Sequence, residues 1–454
     1  MTKSKYLTAP LPTTGMPPSI PYIIGNECAE RFSFYGMRTI LFVFMTQHLM
    51  NASGQLSVMS EAKANEWIHN FIAAVYFFPV IGALIADIFL GKYRTILWLS
   101  IVYCLGHLAL ALDDTRLGLA WGLSLIAIGS GGIKPCVSAN VGDQFGPTNN
   151  HLLEKVFGWF YFSINVGAML STISTPLLLE YVGPQVAFAV PGVLMLVATI
   201  VFWAGRKKYV HAPPGGWAFV KDAVAGGGLR VILRLVSLYV FVAMFWALFD
   251  QSTSSWVGQA ERMNGRLYLG SYEFELLSSQ LQAVNPALIL AFIPLFAYVI
   301  YPAMNRVFRL TPLRKMGLGF FIAAAAFATS SIIEQWIAAG QRPHLLWQVV
   351  PYVLMTAAEV MISITGLEFS YTQAPPKMKS VIMSVWLLAV AAGNYFTAYI
   401  NKLREEGRLT LEGPAYFWFF TGCMFATAII FVFVAMTYRE RTYLQEEAPP
   451  PPVV

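Results

Sequence analysis

Gly82-Ala83-Leu84-Ile85-Ala86-Asp87-Ile88-Phe89-Leu90-Gly91-Lys92-Tyr93-Arg94-Thr95 closes one long apolar run and opens the next. The run before it is Trp67–Leu90 and the run after it is Thr95–Leu112. Glycines in such a corner let two helices approach closely, and Asp87 is placed to meet basic residues at the face where the chain turns. Crossing a bilayer takes roughly 20 apolar residues. Reading outward from this corner adds Ile20–Met50, Leu117–Ala139, Val156–Leu179 and Gln185–Phe202. Beyond a polar break come Val231–Trp256, Leu281–Ile300, Met316–Ala338, Leu345–Tyr371, Val381–Ile400 and Tyr416–Met436. The expectation is twelve spans, six on each side of the break.

The composition requires a membrane. Mean hydropathy is +0.58, with 57% hydrophobic and 12% charged residues, about half the charged share of a soluble domain. The four cysteines, Cys28, Cys104, Cys136 and Cys423, all fall in apolar segments, which argues against a disulfide framework. A net charge of +6 does not point to nucleic acid, because the bases sit in short loops between apolar runs. Placing both termini in the cytoplasm puts 18 of the 30 Lys and Arg on that side and 8 on the other. The positive-inside rule selects this orientation, and the short outer loops suggest a bacterial inner membrane.

The layout expected is an N-terminal segment (1–19), a first six-helix bundle (20–205), a cytoplasmic linker (206–228), a second bundle (229–438) and a Pro-rich tail (439–454). The linker is marked by Pro213-Pro214-Gly215-Gly216 and Gly226-Gly227-Gly228. Six spans plus six around a midpoint linker is the layout of carriers built from two related bundles.

The informative residues are charges inside spans, each costing about 2.5–3.5 kcal/mol at mid-bilayer unless partnered or in a wet cavity. Glu27, Glu30, Arg31, Phe34, Tyr35 and Arg38 fall on one side of the first helix. A self-neutralising Glu27–Arg31 pair would leave Glu30 and Arg38 unexplained. His69 and Tyr76 lie on the second span. Lys134 follows Gly129-Ser130-Gly131-Gly132-Ile133, with Pro135 breaking helix bonds beside it. The second half offers Asp250 and Glu359. Four central acids (Glu27, Glu30, Asp250, Glu359) face three bases (Arg31, Arg38, Lys134). One carboxylate thus lacks a fixed cation, and such a group is cheaper to bury with a proton attached. A proton-driven carrier needs such a site.

The Gly82–Thr95 corner matches the major facilitator signature between spans two and three. The chain further resembles the proton-dependent oligopeptide transporter family. Its E-x-x-E-R-F-x-Y-Y-G motif corresponds to Glu27–Gly36, and G-x-G-G-I-K-P-x-x-S to Gly129–Ser138, continuing as Gly142-Asp143-Gln144-Phe145. F-Y-x-x-x-N-x-G corresponds to Phe160–Gly167, and the tenth helix supplies Gly366–Pro375. Phe34 replaces the first tyrosine of the family pair, and Cys136 stands where asparagine commonly follows Lys-Pro. Each removes a hydrogen-bonding group. The linker is too short for the two extra helices found in many bacterial members.

The resemblance implies an all-α major facilitator fold and a proton-coupled importer of di- and tripeptides working by alternating access. Arg31, Arg38 and Lys134 would hold the peptide carboxylate, and Asn165, Asn285 and Glu359 its amino terminus. Phe34, Tyr35, Tyr76 and Trp386 would wall the pocket, and Glu27, Glu30 and His69 would handle the proton. Arg38 with Asp250, and Lys134 with Glu359, would act as gates. The expected partners are short peptides, protons and membrane lipid, with no cofactor, metal or nucleic acid. A carrier of the same fold for nitrate or a carboxylated metabolite is the alternative, but Glu359 would repel a simple anion. An enzyme is not expected, since the six histidines show no ligand spacing.

Overall fold

A computed structural model describes residues 6–10, 12–211, 213–214, 216, 228–270, 272–373 and 379–438. Most of the linker, the tail 439–454 and the bases Lys3, Lys5, Lys221, Lys377, Arg439 and Arg441 lie outside the described residues. Among those described, eleven helices are long and apolar enough to cross a membrane. They are Glu61–Leu90, Lys92–Leu112, Arg116–Gly142, Lys155–Tyr181, Pro184–Lys207, Ile232–Glu261, Ser278–Val307, Pro312–Ala338, Leu345–Ser370, Ile382–Glu405 and Pro414–Thr437. Ahead of them, Ile20–Val43 is as long, continues as a π-turn through Phe44–His48, and carries the four ionisable residues of the polar stripe. The fold has the twelve spans of the major facilitator type, numbered here in chain order.

The spans form two bundles, each with its own apolar core. One core runs from Ile20 to Tyr209 and takes in Val257 of the seventh span, the other runs from Leu235 to Phe431, and Tyr76 packs against both. In the first bundle the third span packs on the fourth and sixth, the first on the fifth and sixth, and the second on the fourth. In the second bundle the ninth packs on the tenth and twelfth, the seventh on the eleventh and twelfth, and the eighth on the tenth. Across the seam the second span meets the eleventh and the fifth meets the eighth. Adding six to the second and subtracting six from the eleventh turns one seam pair into the other, as two related halves require.

Glycine sets how closely the second and fourth spans approach. A Cβ on Gly82 would fall 2.4 Å from the Gly132 Cα, so the second and fourth spans touch backbone to backbone. Gly91 turns the chain into the third span at φ 75°, in the region that favours glycine. Lys92 Nζ pairs with Asp143 Oδ2 at 2.7 Å, so the nearest base turns to the fourth span and not to Asp87. Gly82→Ala should therefore cost about 1–3 kcal/mol through overpacking. A lower thermal midpoint in detergent is the expected reading, with Gly142→Ala as control because nothing lies within 4 Å of its added carbon. An unchanged midpoint would mean that the two helices separate without penalty.

Two irregularities position the site. The seventh span breaks into a 3-10 turn at Asp250–Thr253, with Ser254 at φ −136° and ψ −93°. The tenth opens into a π-turn, Val360–Ile364, immediately after Glu359. One element was not expected from the sequence. Arg266–Leu269 and Tyr272–Glu275 pair as an antiparallel hairpin between the seventh and eighth spans, turning at Gly270 with φ 64°. Its alternating Tyr-Glu-Phe-Glu strand is the signal that could have revealed it.

Candidate functional site

At the seam lies a cavity of about 190 Å³. Tyr35 and Arg38 reach it from the first span, Tyr161 and Asn165 from the fifth, and Asn285 from the eighth. Tyr352 and Glu359 reach it from the tenth. Five residues singled out in the sequence (Tyr35, Arg38, Asn165, Asn285 and Glu359) thus share one wall-to-wall space. Asn285 Nδ2 donates to Glu359 Oε2 at 2.8 Å and to Thr356 Oγ1 at 3.1 Å. Asn165 Nδ2 donates to the Tyr161 carbonyl at 2.9 Å, which leaves its amide oxygen as an acceptor.

Arg38 and Asp250 form a buried ion pair across the seam. The second oxygen of Asp250 accepts from Asn394 Nδ2 at 2.7 Å, and Asn394 Oδ1 meets His69 Nδ1 at 2.7 Å. His69 Nε2 in turn lies 2.9 Å from Ser254 Oγ. Asn394 Oδ1 can only accept, so His69 carries a proton on Nδ1. The result is one chain, Arg38–Asp250–Asn394–His69, that crosses between the bundles twice. Further cross-seam bonds lie toward the end opposite the termini. Arg262 meets Glu61 at 2.9 Å, Gln47 meets Glu261 at 2.7 Å, and Ser60 meets Glu405.

The remaining candidates stand apart from this cavity. Arg31 Nε lies 2.6 Å from Glu27 and 3.2 Å from Glu30, so one base serves two acids. Glu30 receives no hydrogen bond and is 3% exposed. Lys134 Nζ sits 4.3 Å from the Phe34 ring centroid and 4.5 Å from that of Tyr76. Phe34, a departure from the family pattern, therefore supplies a π-face to the lysine where tyrosine would add a hydroxyl. In this conformation Lys134 and Glu359 take different partners. Trp386 is packed edge-on against Tyr239 in the core of the second bundle, and a Cβ on Gly366 would strike it.

Asn394, Ser254, Tyr161 and Tyr352 were missed in the sequence. For Asn394 the signal existed. Asn394, Thr397 and Asn401 recur at helical spacing on the eleventh span and all are fully buried. Tyr161 also had one, as the tyrosine of the F-Y-x-x-x-N-x-G match that contains Asn165, whereas Tyr352 gave none, since isolated tyrosines in apolar runs are common in membrane helices.

A polar cavity between two six-helix bundles, with a buried ion pair joining them, is the architecture of the major facilitator fold. More narrowly, the chain belongs to the POT family, which matches residues 93–226 and 225–419. It is 41% identical over 370 residues to Peptide transporter family 1 of Drosophila melanogaster, covering 71% of this chain and 48% of that protein. It is 37% identical to human Solute carrier family 15 member 2 over 381 residues, covering 72% and 50% respectively. The chain spans about half the length of these curated relatives. Among solved structures, the POT family transporter PepTSo superposes with a TM-score of 0.83 at 36% identity, covering 93% of this chain and 99% of that one. An auto-inhibited POT family peptide transporter gives a TM-score of 0.84 at 34% identity, with 95% and 99% coverage.

Proposed function

We propose that this chain is a proton-coupled symporter that imports di- and tripeptides by alternating access, with the peptide held between bundles 20–205 and 229–438. The observation that carries this reading is the cavity itself, which sets the Arg38 guanidinium and the Glu359 carboxylate on walls from opposite bundles. A zwitterionic peptide presents an anion at one end and a cation at the other, and this pocket offers the complement. Each added residue lengthens a peptide by up to about 3.5 Å, so a fixed pocket favours short ones. A nitrate or carboxylated-metabolite carrier would gain nothing from Glu359. The peptide transporters among the relatives support the same substrate class.

Within this proposal Arg38, Arg31 and Lys134 attract the peptide carboxylate, while Glu359, Asn285 and Asn165 receive its amino group. Tyr35 shapes the wall, with Phe34 packed edge-on behind it. Glu27 and Glu30 compete for Arg31, so one of them is free to carry a proton without leaving a cation unpaired. Arg38 with Asp250 closes the end opposite the termini. We assign both termini to the cytoplasm on the charge count, and the short loops at the other end favour a bacterial inner membrane.

Uptake of a labelled dipeptide into proteoliposomes, with and without an inward proton gradient, tests the reading. Accumulation that needs the gradient is expected, while uptake of nitrate but not peptide would overturn it. Glu27→Gln and Glu30→Gln should each reduce gradient-driven accumulation at least about tenfold while leaving counterflow largely intact, since exchange requires no net proton movement. Equal losses in both assays would assign these acids to pocket shape instead.

A further inference from the structure

The loop between the eighth and ninth spans, Arg306-Val307-Phe308-Arg309-Leu310-Thr311-Pro312-Leu313-Arg314-Lys315, holds four bases and no acid. The positive-inside rule explains bases at this end of the molecule. It does not explain the groove they frame. Between the ninth and twelfth spans lies a cavity of about 730 Å³, far from the seam, lined by Leu313, Arg314, Gly317, Phe321, Phe431 and Tyr438 among others. Arg314, Gly317 and Phe321 follow one helix face, so the groove runs roughly 10 Å inward from its mouth at 1.5 Å per residue. Gly317 keeps the floor open, since a Cβ there would sit 3.5 Å from the Phe431 ring. The rim is apolar and exposed at Phe308, Val432 and Met436.

Arg314 lines the mouth, and two further cations are joined to its lining residues, Arg309 through its own carbonyl and Arg234 through Tyr438. Arg314 spends one nitrogen on the Arg309 carbonyl at 2.6 Å, which draws the two residues together. Arg234, from the seventh span, lies 4.7 Å from the centroid of Tyr438, which closes the groove. Among the described residues, none of Arg234, Arg309 and Arg314 has a carboxylate partner.

We propose that this groove binds one anionic phospholipid, its acyl chain along Gly317 and Phe321 and its phosphate at Arg314, Arg309 and Arg234. A neutral lipid fits the apolar groove but brings no net charge to three guanidinium groups that have no carboxylate partner among the described residues. A soluble anion meets the guanidinium groups but leaves the groove empty. Only an anionic amphiphile satisfies both, and a guanidinium fork matches a phosphate in shape as well as charge. The headgroup would tie the seventh, ninth and twelfth spans together at the end nearest the termini. This inference needs the membrane setting alone and is independent of the peptide reading.

Native mass spectrometry of the full chain, delipidated in detergent and offered equal amounts of phosphatidylglycerol and phosphatidylcholine, tests it. One phosphatidylglycerol should be retained over phosphatidylcholine by at least about tenfold, with a thermal midpoint that rises with its concentration. Arg309→Gln with Arg314→Gln should abolish the preference, and Gly317→Leu, which fills the groove without changing charge, should do the same. Ala435→Leu obstructs the groove from the twelfth span and serves if Gly317→Leu is unstable. Equal retention of both lipids overturns the proposal. So does a preference that survives groove filling but not charge removal, which would mean diffuse surface attraction. A thermal shift from inorganic phosphate as large as that from the lipid overturns it as well.

Discussion

Glu359→Gln abolishes dipeptide uptake while the protein still folds and inserts. Glu359 sits at the end of a helical segment, just before a π-turn, and faces the seam cavity with Asn285 bonded to it at 2.8 Å. Glutamine keeps the volume and an oxygen that can accept from Asn285, so the local structure survives. What disappears is the negative charge on the wall of the second bundle. Losing one member of a buried charge pair costs roughly 2–5 kcal/mol, which at 1.4 kcal/mol per decade is a loss of at least about thirtyfold. Binding of a labelled dipeptide and gradient-driven uptake should fall together, with the size-exclusion profile of the purified protein unchanged. Wild-type uptake in this variant would remove Glu359 from the site and reopen the anion-carrier alternative.

The second large effect is at the Arg38–Asp250 pair. Both side chains are buried, and apart from Asp250 the hydrogen-bonding neighbour of Arg38 is Thr253 Oγ1, at a long 3.5 Å. Asp250→Asn leaves a buried guanidinium without its counter-ion, at a cost of several kcal/mol in the form where the bundles meet there. The same change removes the charge that holds Asn394, and through it His69, on the other side of the seam. The closed form is destabilised relative to the open one, so the population shifts toward opening at the end away from the termini. With the four native cysteines (Cys28, Cys104, Cys136 and Cys423) replaced, a cysteine introduced at Ser252, on the cavity wall, reports this. Its modification by a membrane-impermeant reagent added outside should accelerate at least about tenfold in Asp250→Asn. Arg38→Ala should behave alike and also weaken peptide binding. Exchanging the charges, Arg38→Asp with Asp250→Arg, should restore closure but not affinity, because the cation then lies on the opposite wall. An unchanged modification rate in Asp250→Asn would mean that the pair does not gate.

Much of this was legible along the chain. Span number, the two-bundle layout and the choice of Glu27, Glu30, Arg31, Arg38, Lys134, Asp250 and Glu359 all follow from one physical demand. Lipid solvates neither a backbone polar group nor a charge, so every long apolar run must be a helix and every charge within it must face the interior. That demand acts residue by residue and can be read without knowing what lies opposite. Which charges meet is a different kind of fact. Arg38 finds Asp250 at a separation of 212 residues. Asn394 links that pair to His69, Lys134 turns onto Phe34 and Tyr76, and Trp386 packs into the second bundle's core. The outcome depends on how far helices approach, as at Gly82 and Gly132, and on where they break, as at Asp250 and after Glu359. Hydropathy and charge belong to single residues and so are written in the sequence. A partner is chosen by the relative placement of whole helices, and only the packed tertiary structure decides it.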